Sequence, residues 1–140
     1  MQILIENPSI IELLGYLQST PLVSKVDIKN YVNKVHLNAT FFVARENGRI
    51  IGINIVYFND LVTKQGYITY IHVDEKYRKQ GIGRELLQKS IEYGLQHEFE
   101  SIRLEVRKNN AVAMRLYSQE GFVIVAEKEL SYYMQKNIRP

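Results

Sequence analysis

The tightest local constraint in this chain is Gln80-Gly81-Ile82-Gly83, because of what stands on either side of it. Ahead of it runs Tyr67-Ile68-Thr69-Tyr70-Ile71-His72-Val73, rich in β-branched and aromatic residues, which reads as a buried strand. After it, Ile82, Leu86, Leu87, Ile91 and Leu95 recur on one face at helical spacing and predict a helix over 82–96. The unit is strand, short basic loop, helix. Glycine permits a sharp turn and a close backbone approach to a ligand. A helix start presents unpaired N–H groups and partial positive charge, and Arg78, Lys79 and Arg84 add full charges around it. The physics describes an anion cradle suited to a pyrophosphate. A glycine pair also makes an ordinary turn, and this stretch alone leaves both readings open.

Two common phosphate loops do not fit. A P-loop needs Lys-Ser or Lys-Thr directly after its second glycine, and neither is present. A dinucleotide fingerprint needs a third glycine where Leu86 stands. The stretch Arg78-Lys79-Gln80-Gly81-Ile82-Gly83 instead resembles the acetyl-CoA loop of the GNAT superfamily of N-acetyltransferases, Gln/Arg-x-x-Gly-x-Gly/Ala. A second block, Asn-x-x-Ala-x-x-Leu-Tyr-x-x-x-Gly-Phe, is met at Asn110, Ala113, Leu116, Tyr117, Gly121 and Phe122. The two blocks stand in that family's order and separation, and the resemblance covers nearly the whole chain.

The resemblance implies an α/β (α+β) fold. Its mixed, mostly antiparallel sheet has about six or seven strands with helices on both faces. Two neighbouring parallel strands, here 67–73 and 102–107, splay into a V that takes acetyl-CoA. The pantetheine arm would bond to the backbone around Ile71, His72 and Val73, with a backbone group at Ile71 or Val73 polarising the thioester oxygen. The loop from Arg78 through Lys79, Gln80, Gly81, Ile82 and Gly83 to Arg84 would take the pyrophosphate. Asn110 would bond the pantetheine arm, cap a helix, or do both. Ala113 would leave room for the cofactor, and Tyr117, one turn later on the same face, would be the general acid; the alternative for Tyr117 is an aromatic core anchor.

A protonated alkyl amine has a pKa near ~10 in water, so a base is needed. Glu105, in Leu104-Glu105-Val106-Arg107, matches the base of bacterial acetyltransferases of ribosomal-protein N-termini. Its other reading is a solvated glutamate paired with Arg103 or Arg107. His72 is a second candidate base, read first as a packed strand histidine. His36, His72 and His97 lack metal-ligand spacing, so no metal is expected.

Composition narrows the classes. At 140 residues the chain is expected to be one domain, residues 1–140. Its net charge of +3 comes from interspersed signs, unlike the clustered stripe of a nucleic-acid binder. With no cysteine, an acetyl-cysteine intermediate is impossible, and direct transfer to the amine is the simplest path. No apolar run reaches membrane-spanning length and no basic leader opens the chain, so a cytoplasmic protein is the expectation.

Along the chain, Gln2–Ile5 reads as a strand and Pro8 as the start of a first helix, broken at Ser19-Thr20-Pro21. Asp27 caps a second helix. Strands follow at 40–45 and 50–58 around Glu46-Asn47-Gly48-Arg49, a hairpin turn. The last pair covers 122–126 and 130–134. Tyr57, Tyr67 and Tyr70 are candidates for an acceptor pocket, or plain strand packing. The expected acceptor is a small-molecule amine. A protein or peptide N-terminus, and a CoA-binding regulatory domain without turnover, are the alternatives. Homodimerisation, common in the family, stays open.

Overall fold

The computed structural model describes all of residues 1–140. Seven strands form a single sheet: β1 (Gln2–Ile5), β2 (Thr40–Glu46), β3 (Arg49–Tyr57), β4 (Gln65–Val73), β5 (Ser101–Arg107), β6 (Val123–Glu127) and β7 (Ser131–Asn137), in the order β1-β2-β3-β4-β5-β7-β6. Every neighbouring pair is antiparallel except β4 with β5. Helices α1 (Ile10–Gln18), α2 (Ile28–Asn38), α3 (Ile82–Gln96) and α4 (Ala111–Gln119) complete the chain. The mixed sheet and the one parallel pair match the fold expected from the sequence.

Period-two alternation in β2 explains why both sheet faces are covered. Phe41 and Val43 pack with Leu13 and Leu17 of α1 and Val32 and Val35 of α2. Phe42 and Ala44 face the other way, into a core with Leu86 and Leu87 of α3 and Tyr117 of α4. Each fully buried leucine, isoleucine or phenylalanine here contributes roughly 1.5–3 kcal/mol.

The local signals act as their chemistry requires. Asn47 and Gly48 both take positive φ, 52° and 77°, as the tight β2–β3 turn demands. Asp27 caps α2 by accepting from the Asn30 N–H, and Asn110 caps α4 by accepting from the Ala113 N–H. Element ends differ from the sequence reading in a few places. α1 is capped by Ser9, which accepts from the Glu12 N–H, so the helix begins after Pro8 rather than at it. Sheet partners lengthen two strands: β4 starts at Gln65, opposite Ser101, and β7 continues to Asn137, opposite the same residue.

Arg45 of β2 ties the start of the chain to the sheet. Its Nη2 lies 2.6 Å from Glu6 Oε1 and its Nη1 2.7 Å from Glu12 Oε2. The hydrogen bond from Arg45 holds the Glu12 carboxyl below the usual carboxylate range. A lowered folded pKa means the stabilisation is complete above the ordinary glutamate value of about 4.3. It is lost as pH falls through the lower folded value. Arg45→Met is expected to cost about 1 kcal/mol at neutral pH, discounted for partial exposure, or about 3 °C in Tm. The deficit should shrink below about pH 4 as the Glu12 carboxylate protonates. Thermal melts that coincide with wild type across that range would remove this account.

Candidate active site

β4 and β5 pair from Gln65↔Ser101 only as far as Ile68↔Leu104. Beyond that point β4 stays with β3 and β5 stays with β7, so the two strands diverge. A bulge marks the place: Tyr70 opposes Ile55 and Ile68 opposes Val56, leaving Thr69 as the extra residue in β4. A bulge bends its strand and strengthens its twist. Here it turns β4 away from β5 and opens the V. It also resets the alternation, so that Tyr70 joins the α1/α2 side while Ile68, Ile71 and Val73 pack toward α3 and α4.

Backbone direction in the V follows from one bond. Asp74 N–H donates to Ile51 O of β3 at 2.8 Å. Alternation then points the N–H and C=O of Val73 and Ile71 toward the gap, and those of His72 toward β3. Arg78 Nε donates to Val73 O at 3.0 Å, which sets the guanidinium at the rim.

The loop after β4 is built as a donor array. Gly81 has φ +79° and Lys79 φ +63°. The first intrahelical bond of α3 is Glu85 N–H to Gly81 O, and no side chain caps the helix. The N–H groups of Ile82, Gly83 and Arg84 therefore have no protein partner, and the helix dipole adds positive potential there. Ile82 contributes backbone only, because its side chain is in the core. Arg84 is drawn aside: its Nη2 reaches Gln119 Oε1 at 2.5 Å and its Nε lies 3.6 Å from Glu120 Oε2. That leaves Arg78 and Lys79 as the cations without a carboxylate partner at the loop.

Three adjoining cavities run through the V. On the α3/α4 side about 440 Å³ is lined by Ile71, His72, Val73, Arg78, Gly83, Asn110, Ala113 and Tyr117, among others. A slot of about 160 Å³ follows, with Thr69, Leu104, Glu105 and again Tyr117 on its walls. It gives onto a wider mouth of about 630 Å³ bounded by Leu22, Lys25, Tyr67, Tyr70, Glu105 and Arg107. Tyr117 thus borders the first two spaces and Glu105 the last two. The passage brings together nearly all the residues singled out from the sequence, and the two candidate proton-transfer groups both border the slot, Tyr117 extending to the α3/α4 side and Glu105 to the mouth.

Tyr117 is 6% exposed, and no protein group bonds its hydroxyl. Burial pushes its phenol well above the ordinary tyrosine range, so it stays protonated. Glu105 Oε2 accepts from Ser131 Oγ at 2.5 Å and lies 3.5 Å from Lys128 Nζ. Its partners are therefore on β7 and the β6–β7 turn, not Arg103 or Arg107; Arg103 lies over the Tyr133 ring at 4.6 Å. His72 stacks on Tyr70, with ring centroids 5.9 Å apart, and is held below its usual pKa by burial and by Arg78. Nearby, Tyr16 of α1 donates to Asp74 Oδ1 at 2.8 Å, which joins α1 to the end of β4.

Of the tyrosines considered for an acceptor pocket, Tyr67 and Tyr70 line the wide mouth, whereas Tyr57 packs beside the α1/α2 core. Sequence reasoning missed Leu22, Lys25, Val26, Arg107 and Thr69. The first three lie in the turn between α1 and α2, where no periodicity marks a residue as cavity wall.

Residues 12–122 match the model of the "Acetyltransferase (GNAT) family". The chain belongs to the GNAT acetyltransferase family. An N-alpha-acetyltransferase of Sulfurisphaera tokodaii is 37% identical over 106 residues, 68% of this chain and 62% of that protein. The chain therefore matches less than two thirds of this relative's length. Among solved structures, a putative streptothricin acetyltransferase from Bacillus anthracis in complex with acetyl coenzyme A is 27% identical. It has a TM-score of 0.64 and covers 71% of this chain and 62% of that one. The ribosomal-protein-S18-alanine N-acetyltransferase from Escherichia coli shares the fold with a TM-score of 0.78 at 21% identity, over 99% and 97% of the two chains.

The two glycines of this GNAT loop answer different demands. A Cβ on Gly81 would meet nothing within 4 Å, so only its left-handed backbone requires glycine. A Cβ on Gly83 would make ordinary contacts, 3.6 Å to Leu116 Cδ2 and 3.8 Å to Val73 Cγ2. Gly81→Ala should therefore lose about 1 kcal/mol, some 3 °C in Tm, while Gly83→Ala loses none. Equal melting of the two variants would contradict this assignment.

Proposed function

We propose that residues 1–140 act as one acetyl-CoA-dependent N-acetyltransferase whose acceptor is the α-amino group of a polypeptide N-terminus. The observation that carries this is the passage through the V, with Tyr117 on the cofactor side and Glu105 on the acceptor side. The Sulfurisphaera relative, named as an N-alpha-acetyltransferase, supports the acceptor class. The Bacillus anthracis neighbour, solved with acetyl coenzyme A, supports the cofactor. The small-molecule amine expected from the sequence is the competing acceptor.

The residues present fit acetyl-CoA. The unpaired N–H groups of Ile82, Gly83 and Arg84, with Arg78 and Lys79, suit a pyrophosphate. The gap-facing backbone of Ile71 and Val73 suits an amide-bearing arm laid along the strand edge. Ala113 leaves room beside it, and Asn110, whose side-chain NH₂ has no protein partner, suits a carbonyl. When bound, acetyl-CoA supplies an acyl thioester. With no cysteine in the chain, the acyl group passes directly to the amine.

Each protein group then has a defined task. The Val73 N–H faces the gap and can donate to an oxygen that gains negative charge. Tyr117 keeps its proton, and an ordinary thiol titrates near about 8.5, well below this buried phenol. Complete proton transfer to sulfur is therefore uphill, and Tyr117 stabilises the leaving group by donating a strong hydrogen bond. Glu105, oriented by Ser131, accepts a proton from the amine directly or through water. An α-amine makes modest demands on that base. At pH 7.5 roughly a quarter of amines with pKa near 7.9 are already neutral, against about one in a thousand lysine-like amines.

Release of CoA thiol from acetyl-CoA tests the acceptor class, with short free peptides set beside polyamines, amino sugars and aminoglycosides. Saturable turnover on peptides supports the proposal; turnover confined to small amines replaces it with the small-molecule reading. Tyr117→Phe should keep acetyl-CoA binding by calorimetry and lose about 10²-fold in turnover. Glu105→Gln should lose a few-fold near neutrality, in line with the neutral fraction of an α-amine, and recover as pH rises past the amine's pKa. Wild-type turnover in Tyr117→Phe would remove the hydrogen-bond role given to its hydroxyl, and a pH-independent deficit would make Glu105 a positioning residue.

A further inference from the structure

The charges around the wide mouth are unbalanced. Glu105 is the one carboxylate on its wall, and Lys128 answers that charge at 3.5 Å. Lys25 and Arg107 line the same cavity and form no ion pair. Arg103, opposite Tyr67 in the sheet register, adds a further cation that is stacked on Tyr133 rather than neutralised. Apart from Thr69, the remaining wall is apolar or aromatic, from Leu22, Val26, Tyr67, Ile68 and Tyr70. A pocket built for a polycationic amine needs the opposite sign, because like charges at close range repel an incoming ligand.

The β-strand alternation places the charges of β5 on the face turned away from the α3/α4 core. Leu104 and Val106 enter the α3/α4 core, so Glu105 and Arg107 share the opposite face of β5. Arg107 therefore lies one strand step beyond the proposed base, at a spacing of about 7 Å along the strand. Glu105, Arg107 and Lys25 line one cavity, so an acceptor amine held at Glu105 has both cations bordering the space its following residues enter.

We propose that the acceptor is a peptide N-terminus with an apolar first side chain and an acidic residue at its second or third position, held between Lys25 and Arg107. This rests on the polypeptide-acceptor reading above and deepens it. The apolar wall takes the first side chain. The acidic group supplies the counter-charge that the protein does not. Lys25 also borders the cofactor-side cavity, whereas Arg107 does not, so Arg107 is the discriminating residue.

The test compares kcat/KM for short peptides that begin with methionine and differ only in carrying Asp, Asn or Lys at positions two and three. The expected order is Asp, then Asn, then Lys, with Asp ahead of Asn by about five- to tenfold at low salt. That advantage should narrow as salt is raised. Arg107→Glu should reverse the order of the Asp and Lys peptides. The salt dependence of the wild-type ratio gives an independent reading should the charge reversal fail to fold. Equal rates on all three peptides, a preference for Lys, or an Asp preference untouched by Arg107→Glu overturns this inference and leaves the polypeptide reading standing. Turnover on small amines with silence on every peptide overturns both.

Discussion

Everything at this site depends on where two strands stop pairing. Parallel β4 and β5 share four residue pairs and then separate at Ile68↔Leu104, beside the extra residue Thr69. A central strand pair held together to its end would spend its backbone groups on the ladder and leave no slot. The bulge frees the gap-facing groups of Ile71 and Val73 without exposing the core, because each strand keeps its outer partner. It also moves Tyr70 onto the α1/α2 side, next to His72 and the acceptor mouth. One inserted residue thus produces both the opening and the different chemistry of its two rims.

That division organises the electrostatics. The α3 side gathers free N–H donors, Arg78, and a phenol kept protonated by burial, all suited to anionic or developing negative charge. The opposite side holds Glu105, fixed by Ser131, on a largely apolar and aromatic wall whose other charged residues, Lys25 and Arg107, are cations. Glu105 and Tyr117 both border the slot, and each also borders one of the two larger cavities on either side of it. Arg84, which looks in sequence like a third cation for the loop, instead braces α3 against the end of α4 through Gln119 and Glu120.

Much of this was readable in advance, for identifiable reasons. The strand–loop–helix unit announces itself through Gly81, whose backbone excludes most residues, and through the long apolar stripe of α3. Asn110, Ala113 and Tyr117 stand out through the resemblance of their block to the family's second motif, and helical geometry then puts them on one face. The acceptor mouth was not readable. Leu22, Lys25 and Val26 come from a turn with no period, and Thr69 stands in a run whose composition looks like any buried strand. A bulge is a property of the pairing between strands, so its residue carries no mark of its own. The partners of Glu105 were misjudged for a related reason. Arg103 and Arg107 are near in sequence, but Ser131 and Lys128 become neighbours only once β7 lies beside β5.

The bond between Tyr16 and Asp74 spans the molecule's two halves. Tyr16 belongs to the helix that leads into the acceptor-side turn, and Asp74 closes the strand whose next residues form the donor loop. This bond connects α1 directly to the residue four places ahead of Arg78. Coupling of this kind is reciprocal by thermodynamic necessity: whatever an occupied mouth does to affinity at the loop, an occupied loop does in equal measure to the mouth. The order in which mouth and loop are filled then changes the route to the doubly occupied state but not its stability.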